Sequence, residues 1–460
     1  MSRPQDIVER ALGYSVADGC VVIVAETTEA NLRWAGNGLT TNGQMASRSV
    51  TVISTMTRGE SAAIGVVTRT LGDVQALQEL VRASESAARD ADPADDYAPL
   101  VEDYPHDDDW EADSATTGVE IFSSFAPALG EAFDRSRERS ELQYGYAEHQ
   151  LTSYFIGTST GLRRRFDQRD GRVQLNAKSD DLTRSAWAGV HTEDFSDVDI
   201  AALVDGLHTR LEWARNRIDL PAGRYETILP PTAVADLMTY AYWKASARDA
   251  EEGRNVFSKA GGTRIGDQLS DLPLTIRSDP AAPGLTCPPF EIVVASDGAL
   301  ESVFDNGAPI AATDWIADGR LAELVRTRSW AAKTGGQPTA FAGNLIIDAG
   351  GTADLDSMIA TTARGLLVTS LFYIREVDPQ SLLLTGLTRD GVYLVEDGKV
   401  VGAVNNFRFN ESPIDMLSRA MEAGRSVPAL SREWGDYFSR TAMPPLRIRD
   451  FNMSTVSAAS

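Results

Sequence analysis

The stretch ILPPTAVADLMTYAYWKASARDAEEGRNVFSKAGG, residues 228–262, decides how the rest of the chain is read. Pro230 and Pro231 open it, at a place where a missing N–H costs a helix nothing. Val234, Leu237, Met238, Ala241 and Ala245 then fall on one apolar stripe at helical spacing. Gly253 and Arg254 end the pattern, and Val256-Phe257-Ser258 reads as a short strand. The expectation is one long, regular helix. Its centre, Met238-Thr239-Tyr240-Ala241-Tyr242-Trp243, supplies no histidine, cysteine or carboxylate that a metal would need.

Strand candidates crowd the chain after this helix: EIVVASDGALES, NLIIDAG, GLLVTSLFYIREV, GVYLVEDGKVVGAVNNFRF and PPLRIRDFNM. Asp397-Gly398 sits between two of them as a hairpin signal. Before the helix, residues 4–14 and VQALQELVRASESAA read as helices. CVVIVAET, NLRWAGN and the two halves of SRSVTVISTMTRGESAAIGVVTRT read as strands. The segment PADDYAPLVEDYPHDDDWEAD has acids and prolines but no Lys or Arg, the composition of a solvated linker. Leu220-Pro221-Ala222-Gly223 marks a further boundary.

The fold class that follows is α+β. An N-terminal α/β domain spans 1–92, an acidic linker 93–116, and a central strand-rich domain 117–222. The C-terminal domain, 223–460, is built on a large, mostly antiparallel sheet. A length of 460 residues suits several cores rather than one.

The formal charge is −23, from 66 acidic and 43 basic residues. Such a field repels phosphate backbones and anionic headgroups, so nucleic acid and membrane are not expected partners. Two cysteines, Cys20 and Cys287, form no disulfide framework or zinc-ribbon spacing. No apolar run approaches the ~20 residues of a membrane span, and the N-terminus lacks the apolar core of a signal peptide. A cytoplasmic location is the expectation.

Catalytic signals are sparse. The histidines, His106, His149, His191 and His208, include no HExxH pair. His106 stands beside Asp107, Asp108 and Asp109, but ligands so close on a flexible segment are weakly preorganised for a cation. His191, in VHTEDFSD, reads as part of a polar turn, with Asp194 or Ser196 capping the next helix. His208 and Glu212 read as a helical i,i+4 surface pair. Gly157-Thr158-Ser159-Thr160-Gly161 suggests a tight turn or backbone exposed to a ligand. Arg163-Arg164-Arg165 is the basic cluster of an acidic chain. On a strand Arg163 and Arg165 share a face, open either to a peptide carboxylate or to this chain's own acids.

Taken in order, several strings resemble the TldD/PmbA family across nearly the whole chain. FIGTSTGLRRR is similar to the family's Asn-Ser-x-Gly strand turn, with Thr158 and Ser159 in the Asn-Ser places. EEGRNVFSKAGGTRIGDQLSDLPLTIRSDP, FDNGAPIAATDWIADGRLAEL and the long block from Arg364 to Leu417 resemble its later segments. LLLTGLTRDGVYLVE departs from the usual Gly-Asp and aromatic of the late block. The resemblance implies a heterodimeric metallopeptidase acting on unfolded peptides or peptide precursors. One subunit bears zinc on an HExxxH helix with a further cysteine, and the TldE subunit has the same fold without that site. Counting back from Gly253 sets Met238 and Trp243 in the histidine places and Thr239 in the glutamate place, and residues 423–460 hold no cysteine. The chain therefore resembles the TldE type: a degenerate zinc helix, no cofactor of its own, zinc in a homologous TldD-like partner, and peptide contacts assigned to Ser159, Arg163 and Arg165. The alternative reading is a non-proteolytic, peptide-binding or regulatory homodimer.

Overall fold

The computed structural model describes residues 2–70, 76–102 and 107–457, so His106 and the first residues of the second expected helix lie outside it. The chain is α+β, as its patterning predicts. Its N-terminal half begins with helix α1 (Pro4–Tyr14) and strands β1 (Gly19–Trp34), β2 (Leu39–Arg58) and β3 (Ser61–Thr70). Helices α2 (Leu77–Asp90) and α3 (Phe125–Glu138) follow. Strands β4 (Glu141–Thr158), β5 (Arg163–Ser179) and β6 (Ser185–Thr192) and helix α4 (Ile200–Trp213) complete it.

The six strands form one sheet in the order β3-β2-β1-β4-β5-β6, every neighbouring pair antiparallel. This corrects the expected division between 1–92 and 117–222: β1 pairs with β4 from Val21↔Thr158 to Trp34↔Gly145 and joins the two segments. CVVIVAET and NLRWAGN are likewise not two strands but one sixteen-residue strand.

Side-chain alternation along β1 sorts the packing. Cys20, Val22 and Val24 point to the face covered by α1 and α2, where Ile7, Val8, Leu77 and Leu80 bury against them. Ala30, Leu32 and Trp34, on the same face further along, meet Phe125 and Leu129 of α3 and Val204 and Leu207 of α4. Val21 and Ile23 point the other way and pack with Phe290, Val303 and Phe304 of the C-terminal half. At Gly65 the sheet and α2 come so close that an added Cβ would lie 2.0 Å from the Ser84 carbonyl oxygen. Only glycine fits that contact.

The acidic segment is not a solvated linker. Trp110 is buried and packs edge-on against Phe155, with ring centroids 5.7 Å apart. Arg164 reaches the Asp107 carboxylate at 2.7 Å, and the Arg165 N–H donates to the same carboxylate at 2.8 Å. The Arg165 guanidinium meets Asp109 at 2.5 Å, Asp167 at 2.8 Å and the Asp113 carbonyl at 2.9 Å. Asp107 and Asp109 thus fold back onto the chain's own basic cluster, with Trp110 as an apolar anchor beside them, while Ala98 and Val101 bury earlier in the segment.

The C-terminal half holds a ten-stranded, mostly antiparallel sheet among the described residues. Near its centre, strand Gly223–Leu229 lies between Leu446–Val456 (antiparallel) and Arg364–Val368 (parallel). A six-stranded sheet, which sequence patterning does not separate from the larger one, includes Thr275–Ser278, Thr313–Ala317 and Leu345–Asp348. One continuous core joins the two: Leu366, Val368 and Phe409 from the larger sheet, Ile276, Ile316 and Ile347 from the smaller. No described helix is long and apolar enough to cross a membrane.

The two flanking arginines should differ in cost. Arg165 is 8% exposed, whereas Arg163 pairs with the half-exposed carboxylate of Glu9. Replacing Arg165 by alanine removes a buried guanidinium that binds Asp109, Asp167 and the Asp113 carbonyl and should destabilise by about 3 kcal/mol. Arg163→Ala loses an ion pair to an exposed carboxylate and two carbonyl contacts and should cost about 1 kcal/mol. Urea unfolding of both variants checks this; equal midpoints would refute the assignment.

Candidate active-site helix and its buried carboxyl

Strand Gly223–Leu229 delivers the chain to Pro230, and helix α5 (Pro231–Tyr242) begins with proline in its first turn. The long helix expected from the pattern stops there. Trp243 caps it, and a separate short helix, α6 (Ala247–Glu251), starts after Ser246, whose hydroxyl accepts from the Asp249 N–H. The break has a remote cause. The Asn255 amide donates to the carbonyls of Lys244 and Ser246, and Val325 exchanges backbone hydrogen bonds with Ala245 and Ala247. Those bonds take the carbonyls and N–H groups a continuing helix would use.

Burial also differs from the expected single stripe. Residues 233–239 are all buried, and so are Ala241 and Tyr242; α5 runs through the shared core rather than along its edge. Met238 is 2% exposed and faces a cavity of about 30 Å³, about the size of one water. Its walls include Ala241, Tyr242, Phe257, Ile276 and Trp315, with Glu323 the one carboxylate. Tyr242 stacks on Phe341 at 4.5 Å, and its hydroxyl accepts from the Ala342 N–H at 2.9 Å. Trp243 is half-buried in an aromatic cluster with Trp434 at 5.3 Å and Tyr240 at 6.2 Å.

These residues do not fit a zinc ion. At positions 238, 239 and 243 the helix offers a thioether, a hydroxyl and an indole, none an adequate donor for zinc. Met238 looks onto hydrocarbon walls, and the Thr239 hydroxyl is fully buried without a hydrogen-bond partner.

The helix does carry one ionisable group that sequence reading passed over. Asp236 is fully buried. One carboxyl oxygen accepts from the Ser431 hydroxyl at 2.5 Å and the Glu433 N–H at 2.9 Å, and the other has no partner. The Trp434 indole N–H donates to the Asp236 carbonyl at 2.9 Å. Glu433 in turn accepts from the N–H groups of Tyr373 and Ile374, at 2.9 and 3.1 Å. Residues 431–434 thus latch α5 to the edge strand Leu371–Asp378. The available signal was an aspartate inside an otherwise apolar helical run.

The residues expected to touch peptide are occupied within the chain. Ser159 closes the turn between β4 and β5: its hydroxyl accepts from the Cys20 N–H at 3.0 Å, and its N–H donates to the Cys20 carbonyl. Arg163 holds Glu9 through two bonds, at 2.6 and 2.8 Å, and Arg165 lies under the acidic segment. The structure brings none of them to α5. His191 is not in a turn. It ends β6, 1% exposed, 3.5 Å from Asp170, and α4 is capped by Asp199 rather than by Asp194 or Ser196. His208 bonds Glu141 at 2.6 Å while Glu212 pairs with Arg215, and Glu141, His208 and Glu212 are the one potential metal-binding group among the described residues.

Between the N-terminal sheet and the C-terminal half lies a cleft of about 360 Å³ with a polar floor and apolar wall residues Pro288, Ile292 and Val294. Gln150, Thr152 and Tyr154 of β4 and Gln168 and Asp170 of β5 form its floor, with Arg440 and Ile292 on the wall. Burial pushes the Asp170 carboxyl up, but the nearby His191 ring at 3.5 Å, the Arg440 charge and hydrogen bonds from Ser439 outweigh it and hold the group at about 2.

Asp236 gives the site a pH signature. Burial raises its carboxyl from 3.8 to about 7, against the pull of the Ser431 and Glu433 hydrogen bonds. The folded chain therefore favours the neutral acid. That contribution to stability is complete below the unfolded value near 4 and is lost as pH rises to about 7. Asp236→Asn cannot ionise, so its melting temperature should gain on the parent's between pH 4 and pH 8. Parallel curves for the two proteins would exclude this role.

Residues 222–455 match the family model described as the PmbA/TldA metallopeptidase C-terminal domain. No curated protein matches the chain. Among solved structures, TldE from Thermococcus kodakarensis is similar at TM-score 0.78 and 16% identity, covering 97% of this chain and 99% of its own. A protein from Thermotoga maritima, described as a candidate modulator of a DNA gyrase, is similar at TM-score 0.76 and 16% identity, with coverage of 97% and 99%. A second such protein, from Bacteroides thetaiotaomicron, gives 0.77 and 12%, with coverage of 98% and 99%. At these identities the structures establish the shared fold. The family model spans just over half of the sequence, and by that match the chain belongs to the TldD/PmbA family of metallopeptidase-related proteins.

Proposed function

We propose that the chain is the TldE/PmbA-like, non-catalytic subunit of a TldD/TldE-type metallopeptidase complex that proteolyses unfolded peptides or peptide precursors. The observation that carries this reading is the chemistry of α5. The helix is enclosed by core, and Met238, Thr239 and Trp243, the positions that the resemblance aligns with a zinc motif, provide no zinc donors. Peptide-bond cleavage is accordingly assigned to a homologous, zinc-bearing TldD-like partner. This chain would enclose and position the peptide. The cleft between the N-terminal sheet and the C-terminal half, lined by Tyr154, Ile292, Val294 and Arg440, is the space offered to it, whereas Ser159, Arg163 and Arg165 are engaged elsewhere. A reducing, cytoplasmic setting fits two free, buried cysteines whose thiols burial raises to about 11.

Co-expression with a TldD-like homologue from the same genome tests the proposal. The two chains should co-elute, zinc should follow the partner, and unfolded peptide should be cleaved by the pair but not by this chain alone. Thr239→Ala here should leave cleavage unchanged within about twofold, whereas replacing the partner's motif glutamate should abolish it. Stoichiometric zinc on this chain alone, or failure of the chains to associate, would reject the assignment.

A further inference from the structure

A separate cavity of about 280 Å³ lies where the end of α4 and the start of β6 meet the ten-stranded sheet. It shares no wall residue with α5 or with the cleft at Asp170. The edge strand Arg217–Ile218, paired in parallel with Ala403 and Val404, forms one side. Ile218, Val392 and Val404 make part of the wall apolar. Arg184, Arg217 and Arg389 bring three guanidinium groups to it from three distant places in the chain.

In a chain of net charge −23, an arginine has carboxylates at hand, and Arg163, Arg164 and Arg165 each hold one. Arg184 and Arg217 do not. They donate to the carbonyls of Leu211 and Thr183 and form no ion pair among the described residues. Arg389 lies over the Phe372 ring, 3.7 Å from Asp390. That carboxylate is already met by Arg432 at 2.5 Å and by the Ser185 hydroxyl. With Asp390 set against Arg432, the wall holds three positive charges, Arg184, Arg217 and Arg389, and one negative, the exposed Asp219. Such an excess in a recess draws anions, and the guanidinium fork matches the oxygens of a carboxylate or phosphate.

Tyr393 adds an independent sign of an occupant. It is 1% exposed, Trp213 packs edge-on against its ring, and its hydroxyl has no hydrogen-bond partner. A buried phenol normally finds one. Gly391 shares the cavity wall with it. A Cβ added there would lie 3.3 Å from that hydroxyl and 2.1 Å from the Thr369 hydroxyl, and the backbone has a φ of +147°. Glycine is required at this position, and it keeps the space beside the phenol open.

We propose that this cavity binds a small organic dianion, a phosphomonoester or a dicarboxylate. Arg184, Arg217 and Arg389 hold its charge, the Tyr393 hydroxyl donates to one of its oxygens, and Ile218 and Val404 cover its carbon skeleton. The site belongs to this chain alone, so the inference does not rest on the peptidase reading.

Calorimetric titration of the full chain with inorganic phosphate and with succinate, at constant ionic strength and with sodium chloride as control, provides the test. One of the two probes should bind saturably, at one per chain. Preference for phosphate identifies the ester and preference for succinate the dicarboxylate. Arg217→Ala and Arg389→Ala alter exposed side chains, so both should fold, as circular dichroism verifies. Each should weaken binding about tenfold. Arg408→Ala removes the same charge outside the cavity and should leave affinity within about twofold. Absence of saturable binding by either probe overturns the proposal. So does binding that Arg217→Ala and Arg389→Ala leave unchanged, or that Arg408→Ala weakens equally.

Discussion

Strand β1 is buried on both faces from Gly19 to Val24, and most of the molecule is placed by that fact. Its first half, CVVIV, sends Cys20, Val22 and Val24 under α1 and α2, and Val21 and Ile23 against Phe290 and Phe304 of the C-terminal half. Each such aliphatic side chain contributes about 1.5–3 kcal/mol when fully buried, so neither face is dispensable. A slip of one residue would exchange the two sets and leave both cores unmatched. Because β4 pairs with β1 along fourteen positions, the same register fixes the turn at Ser159, the start of β5 and the polar floor of the cleft. The relation between the N-terminal sheet and α5 follows from this one strand.

Much of the architecture was legible because it rests on local chemistry. Pro230-Pro231 announced the start of α5, alternation marked the long strands, and Asp397-Gly398 marked a hairpin. What escaped depends on partners distant in sequence. Nothing near Lys244 indicates that Asn255 and Val325 will claim its neighbours' backbone and end the helix. The split between 1–92 and 117–222 looked natural because β1 finds β4 only after more than a hundred intervening residues. The acidic segment read as solvent-exposed by composition; Tyr97, Leu100, Val101 and Trp110 were the residues in it at odds with that reading. Arg163 and Arg165 showed their charge but not their partners, and strand spacing alone does not choose between a ligand and an internal acid.

Helix α5 separates packing from chemistry. Its enclosure by two sheets, the stacking of Tyr242 on Phe341 and the latch from Asp236 to residues 431–434 are structural and need no metal. A core of this kind tolerates the exchange of side chains provided the volume is filled. The placement of α5 is therefore set by its packing and by the Asp236 latch, whatever chemistry its side chains carry.

The acidic segment over β5 is held differently from everything beneath it. Its first part is held by Ala98 and Val101 in an apolar core, but over residues 107–113 Trp110 supplies one apolar anchor and the other contacts are ionic, through Asp107, Asp109 and the strand arginines. The cores under the sheet respond weakly to ionic strength, but partly exposed charge pairs are screened over a Debye length of about 8 Å in physiological salt. Acid or high salt should therefore loosen this cover while the sheet stays intact, exposing the peptide bonds around Trp110 to proteases before any strand is released. The chain thus carries a cover whose grip is set by its ionic surroundings, laid over a framework that is not.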